Sequence, residues 1–133
     1  MDTDRFKAAV SQRSISNWFS FYGVSDIGYY FTEWQLEGDI FQTPEKLWNH
    51  SPLKYAANIQ TPLLLLHGEK DLRCPLEQSE QLFITLKRQK KETTFVIFPD
   101  ETHEITRKGS PDMRLQHLQE IKNWFNKYIR NLC

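Results

Sequence analysis

Thr61 to Ser79 reads TPLLLLHGEKDLRCPLEQS. Within it, Leu63 to Leu66 is a continuous apolar run too short for a helix, closed by the breaker Gly68. Such a run fits a parallel strand buried on both faces. Pro75 follows where a helix is expected to start, a position at which its missing N–H costs nothing. In open parallel sheets, ligands and catalytic groups collect beyond the carboxyl ends of the strands, and Asp71 stands at such an end. A second strand signal, Thr93 to Phe98, is β-branched and aromatic, as strands prefer. It runs into PDETHE, which carries His103. Two strands are therefore expected to bring a carboxylate and an imidazole to one edge of one sheet.

The 133 residues allow one domain around one core. With 17 basic and 17 acidic side chains in balance, there is no electrostatic footprint for nucleic acid or an anionic membrane. The apolar runs are too short to span a bilayer, and no signal peptide is expected at the start. Cys74 and Cys133 are too far apart to suggest a disulfide framework or a metal-ligand spacing, which fits a reducing cytoplasm. His50, His67 and His117 combine with neither Cys74 nor the carboxylates at a metal spacing. There is no glycine-rich phosphate loop, and no cofactor is implied. His67, in the HG pair, is read as a buried, hydrogen-bonded structural residue, and the Lys87 to Lys91 cluster as a solvated helix end.

Phe6 to Ser11 (FKAAVS) carries a third strand signal with nothing before it to cover it. The chain is accordingly expected to be cut at its N-terminus. Trp18 to Trp48 is rich in aromatics and punctuated by Gly23, Gly28, Gly38 and Pro44, which reads as short helices and loops. After Pro75, the positions Leu76, Ser79, Leu82, Phe83 and Leu86 recur at helical spacing. Ser110-Pro111 reads as an N-cap with a first-turn proline. The helix behind it carries a stripe of Leu118, Ile121, Phe125, Tyr128, Ile129 and Leu132. Strand, helix, strand, helix implies right-handed parallel crossovers. The expected architecture is α/β: a three-stranded parallel sheet, with strands near 6–11, 62–67 and 93–98, flanked by helices, and all of 1–133 in a single domain.

An Asp and a later His, each in a loop just after a strand, are two thirds of a hydrolytic triad. The Asp orients the imidazole and stabilises its protonated form, and the His takes the nucleophile's proton and returns it to the leaving group. The two loops are one strand–helix–strand unit apart, so both open on the same side.

HGEKDLRCPLEQSEQL, VIFPDETHEI and the closing helix ending in WFNKYI together resemble the C-terminal end of the prolyl oligopeptidase family. The similarity is greatest to its acylaminoacyl-peptidase and dipeptidyl-peptidase-like branch, α/β-hydrolase serine peptidases without a cofactor. The opening DRFKAAVSQRSISNW resembles the segment after the nucleophile helix of that branch. The resemblance implies Asp71 as triad acid, His103 as triad base, Arg73 and Pro75 as framework, and Tyr30, Phe31 and Trp34 near the aromatic specificity pocket.

A nucleophile elbow needs Gly-x-Ser-x-Gly on a strained turn, because only small neighbours let the serine oxygen stand clear. Ser11, Ser14, Ser16, Ser20, Ser25, Ser51, Ser79 and Ser110 all lack that frame. In the family the elbow lies upstream of the matching segment, a propeller domain lies further upstream, and the oxyanion hole goes with the elbow. The expectation is thus the C-terminal part of an α/β-hydrolase peptidase domain that acts on peptides, with acid and base but no nucleophile. An esterase or dienelactone-hydrolase-like parent and a non-catalytic interaction module remain as alternatives. In the arrangement the family implies, the first strand would lack its outer partner, and Leu118, Phe125 and Tyr128 would be half buried. A homodimer or higher oligomer is expected from that edge.

Overall fold

The computed structural model describes residues 5–129. In chain order it comprises β1 (Ala9–Gln12), α1 (Trp18–Val24), α2 (Gly28–Leu36), α3 (Pro44–His50), a 3-10 helix (Pro52–Asn58), β2 (Leu63–Gly68), α4 (Glu77–Arg88), β3 (Thr93–Phe98), α5 (Ile105–Lys108) and α6 (Pro111–Ile129). The strands form one parallel sheet in the order β1-β2-β3, with Ala9 opposite Leu63 and Leu63 opposite Thr93.

β2 is the centre of the sheet, and every one of its residues is buried. The alternation of a strand splits its leucines between two cores. Leu63 and Leu65 face Leu82 and Leu86 of α4, with Ala56 and Ile59. Leu64 and Leu66 face Phe98, Ile105 and Trp124, under α5 and α6. Burying each leucine is worth roughly 1.5–3 kcal/mol, so the LLLL run both specifies β2 and anchors the layers on either side. Helices on both faces are what a parallel sheet requires.

Several expectations are refined. β1 begins at Ala9 rather than Phe6, whose side chain is exposed; pairing starts only where the Ala9 N–H reaches the Pro62 carbonyl at 2.9 Å. β2 runs one residue later than expected, because Gly68 still pairs with Phe98. Pro75 is not in the first turn of α4. It lies in the turn before it, where its carbonyl accepts the Gln78 N–H at 2.9 Å. Ser110 does cap α6, its hydroxyl accepting from Met113 N–H at 3.3 Å.

The stripe expected on the last helix is corrected in part, Ile121 and Tyr128 being the members of it that pack on the core. Leu118 is 63% exposed and Ile129 is also exposed. The side chains that reach the sheet are Met113, Ile121, Trp124 and Tyr128, with His117 buried against the Phe98 ring at 5.5 Å. A tryptophan and a histidine, both with polar atoms, thus occupy positions that a purely apolar count passes over. Leu132 and Cys133 lie outside the described residues. No helix among the described residues is long and apolar enough to cross a membrane.

The segment leading into α1 is tied to α4 through polar contacts. Asn17 caps α1, its side chain accepting from the Phe19 N–H at 3.0 Å. Buried Gln78 of α4 accepts the N–H groups of Ser16 and Asn17, each at 2.9 Å. A buried amide needs such partners to offset its desolvation.

Candidate functional site: an aspartate–histidine pair at the carboxyl edge

Asp71 and His103 meet. The loop after β2 turns at once, with the Asp71 N–H donating to the Gly68 carbonyl at 3.2 Å. The loop after β3 is reversed at Asp100, held at φ 60, a left-handed conformation that Asp tolerates better than most residues. The two loops are then stitched together. The Glu69 N–H donates to Phe98 O at 3.0 Å, and the Lys70 N–H to Glu101 O at 2.8 Å. This close approach requires the glycine at position 68. A Cβ there would lie 2.5 Å from Glu101 O and 2.8 Å from Thr102 O.

The carboxylate is fully shielded from solvent and saturated with donors. Oδ1 accepts the backbone N–H groups of Arg73 at 2.9 Å and Cys74 at 2.8 Å. Oδ2 accepts from His103 Nδ1 at 2.9 Å. His67 Nε2 stands 3.3 Å from the same oxygen. Burial pushes the Asp71 carboxyl up, but the contact with His67, the Cys74 N–H and His103 together outweigh it and hold it below its ordinary value. Asp71 is therefore an anion at neutral pH, shielded from solvent. This is the condition under which a fixed charge acts strongly on its neighbour.

With Nδ1–H committed to Asp71, the other ring nitrogen of His103 is left to accept a proton. The ring is 27% exposed. It borders a cavity of about 210 Å³ lined also by Asp26, Lys70, Leu72, Arg73, Thr102 and Glu104. The backbone of His103 is held from a third strand, since Arg13 Nη1, just beyond β1, donates to its carbonyl at 2.6 Å. Arg73 projects away from the carboxylate and pairs with Asp26 at 2.8 Å. The loop between α1 and α2 thereby forms one wall, reinforced by the Asp26 N–H to Leu72 O at 2.9 Å. Cys74 points into the core, and burial, then the Asp71 charge, pushes its thiol up to about 12. It is no nucleophile at neutral pH.

The three aromatics expected near a specificity pocket lie elsewhere than this cavity. Phe31 is half buried, stacked 6.2 Å from Trp18 and set edge-on to Phe21 at 6.1 Å. Tyr30 is 51% exposed and Trp34 is 76% exposed on α2. Arg13, Gly68 and Ser79 are the site residues that sequence reasoning did not assign. Gly68 was legible as a strand terminator, whereas nothing in the local sequence marks Arg13 as a partner of His103.

A parallel sheet with an acid after one strand and a histidine after the next has the architecture of the α/β-hydrolases. The prolyl oligopeptidase family matches residues 1–132, and the chain belongs to that family. It is 62% identical over 127 residues to the uncharacterized peptidase YuxL of Bacillus subtilis (strain 168), an alignment covering 96% of this chain and 19% of that protein. It is 28% identical over 134 residues to the acylamino-acid-releasing enzyme of Arabidopsis thaliana, covering 96% and 17%. Among solved structures, the acylaminoacyl peptidase of Pyrococcus horikoshii superposes with a TM-score of 0.87 at 36% identity, over 96% of this chain and 21% of that one. The chain thus spans about a fifth of the length of these relatives.

Proposed function

We propose that this chain supplies the acid and base of an acylaminoacyl-peptidase-like serine peptidase, with Asp71 as acid and His103 as base. The nucleophilic serine and the oxyanion hole belong to the preceding part of the protein. The observation that carries the reading is the 2.9 Å contact between His103 Nδ1 and Asp71 Oδ2 at the shared carboxyl edge. In this scheme the free nitrogen of His103 takes the serine proton as the serine oxygen attacks the scissile carbonyl. It then gives that proton to the departing amine as the C–N bond breaks. In the second half it deprotonates water, which releases the acyl group, and returns the proton to the serine. Asp71 remains ionised throughout and stabilises the transient imidazolium. The names of the relatives support short or amino-terminally acylated peptides as substrates. The buried free thiol of Cys74 supports a reducing, cytoplasmic setting.

The test is direct. Among the described residues no hydroxyl is hydrogen-bonded to His103, and none of the eight serines sits in a nucleophile frame. The 133-residue chain by itself is therefore expected to show no peptidase turnover and no labelling by a fluorophosphonate probe, while the longer protein shows both. Robust labelling of the isolated chain would refute this assignment of the nucleophile.

For the chain by itself we also infer self-association. β1 pairs with β2 on one side only, and an edge strand with free N–H and C=O groups is a template for another chain. The expected result is a dimer or higher oligomer by light scattering at micromolar concentration. A single species of 15.9 kDa would overturn it.

A further inference from the structure

We infer that His67, backed by Ser79, is a positioning residue for the triad acid. The inference rests on the peptidase reading above and concerns a side chain with no place in the proton path. His67 occupies the penultimate position of β2 and is fully buried. Its Nε2 lies 2.6 Å from the Cys74 carbonyl oxygen. A carbonyl can only accept, so the proton is on Nε2. Its Nδ1 lies 2.7 Å from Ser79 Oγ and, in this tautomer, accepts the hydroxyl proton. Asp71 Oδ2 stands 3.3 Å from Nε2, beside an N–H bond aimed at the carbonyl. The contact is electrostatic rather than a straight hydrogen bond. Oδ2, the oxygen that receives the His103 proton, thus lies between two imidazoles.

Two consequences follow from this placement. First, Ser79, His67 and Cys74 form a chain of contacts that fixes the Cys74 backbone. The N–H of that same residue holds Asp71 Oδ1 at 2.8 Å, so His67 sets the plane of the carboxylate from both ends. Second, the positive end of the Nε2–H dipole draws electron density from Oδ2 and moderates its pull on the His103 Nδ1 proton. A leucine would fill the space more cheaply, because a buried imidazole must find partners for both nitrogens. The charged groups facing this pair are few. Arg13 reaches the His103 carbonyl from the end of β1, and Asp26, Lys70, Arg73 and Glu104 ring the cavity beside His103.

The experiment uses the full peptidase carrying His67→Leu, His67→Gln or Ser79→Ala. For His67→Leu, kcat is expected to fall about 10- to 100-fold with KM within about twofold, the signature of a misplaced catalytic group. The acidic limb of the kcat/KM profile is expected to move up by roughly half a pH unit or more, because an Oδ2 freed of the second N–H holds the Nδ1 proton more tightly. The downfield proton resonance of the Asp71–His103 hydrogen bond should shift with it. Gln can present an N–H near the Nε2 position and should recover part of both effects. Ser79→Ala should shift the same limb by less, and it carries the test together with His67→Gln should the Leu variant not fold. An unchanged pH limb and proton resonance in the folded variants would overturn the inference, even with a lowered melting temperature. His103→Ala is the control that separates the two readings: if it retains turnover, the triad assignment fails, and if it abolishes turnover while the His67 and Ser79 variants behave as wild type, only the positioning role fails.

Discussion

Asp71→Asn or His103→Ala, made in the longer protein, is expected on the proposed peptidase reading to lower kcat by about 10⁴-fold or more, the scale on which triad members act. The two losses have different origins. His103→Ala removes the imidazole proposed to shuttle a proton between nucleophile and leaving group. Asp71→Asn keeps the shape but changes the partner. An amide presents either an oxygen without charge or an N–H that cannot face Nδ1–H. The imidazole then loses its imposed tautomer, and its protonated form loses the buried anion 2.9 Å away. Because the two residues act as one unit, the double variant should be scarcely worse than either single one. Steady-state kinetics on a short acylated peptide would check this, and additive losses would contradict the coupling.

Asp71 also links the site to stability, and the sign follows from its environment. Its carboxyl in the folded protein titrates below the ordinary 3.8. Its contribution to stability is therefore complete above that value and is lost as the pH falls through the folded one. Near neutrality the carboxylate stays ionised, which is the state the proposed triad requires.

Much of this was legible in the sequence, for physical reasons. Leu63 to Leu66 can satisfy its neighbours only between two layers, so a fully buried strand was the one economical reading, and its loop led to Asp71. Thr93 to Phe98 ended at a proline and delivered His103 in the same way. Less legible were features set by contacts distant in the chain. Phe6 looks like strand, but its carbonyl accepts the Thr61 hydroxyl at 3.3 Å rather than a strand N–H, and β1 opens at Ala9. The buried face of α6 follows the expected stripe only in part, since Ile121 and Tyr128 pack on the sheet beside Trp124 and His117 while Leu118 faces outward. Arg13 belongs to the site only because β1 lies next to β2, which places its guanidinium 2.6 Å from a carbonyl ninety residues later. The aromatics of α1 and α2 illustrate the converse. Phe31 packs against Trp18 and Phe21 while Trp34 stands exposed on α2, a division of roles that a count of aromatic residues does not reveal.

Gly68→Ala is expected to damage stability and catalysis together, which few single methyl groups do. The added Cβ would sit 2.5 Å from the Glu101 carbonyl oxygen and 2.8 Å from that of Thr102. Both obstacles are backbone, so no side-chain rotation relieves the clash. The glycine is needed here for close approach rather than for backbone freedom, as no positive φ is involved. Relief requires the loops after β2 and β3 to part. Parting strains the Lys70 N–H to Glu101 O bond at 2.8 Å and carries His103 away from Asp71. Overpacking of this kind costs about 1–3 kcal/mol, and a displacement of the base by even part of an ångström lowers kcat by up to about 10²-fold. Thermal melting and kinetics on the same preparation check both parts, with KM expected to change far less than kcat. Since the clash lies between the two loops themselves, a variant that melts lower yet keeps full kcat would show that the Asp71–His103 geometry does not depend on how tightly they are joined.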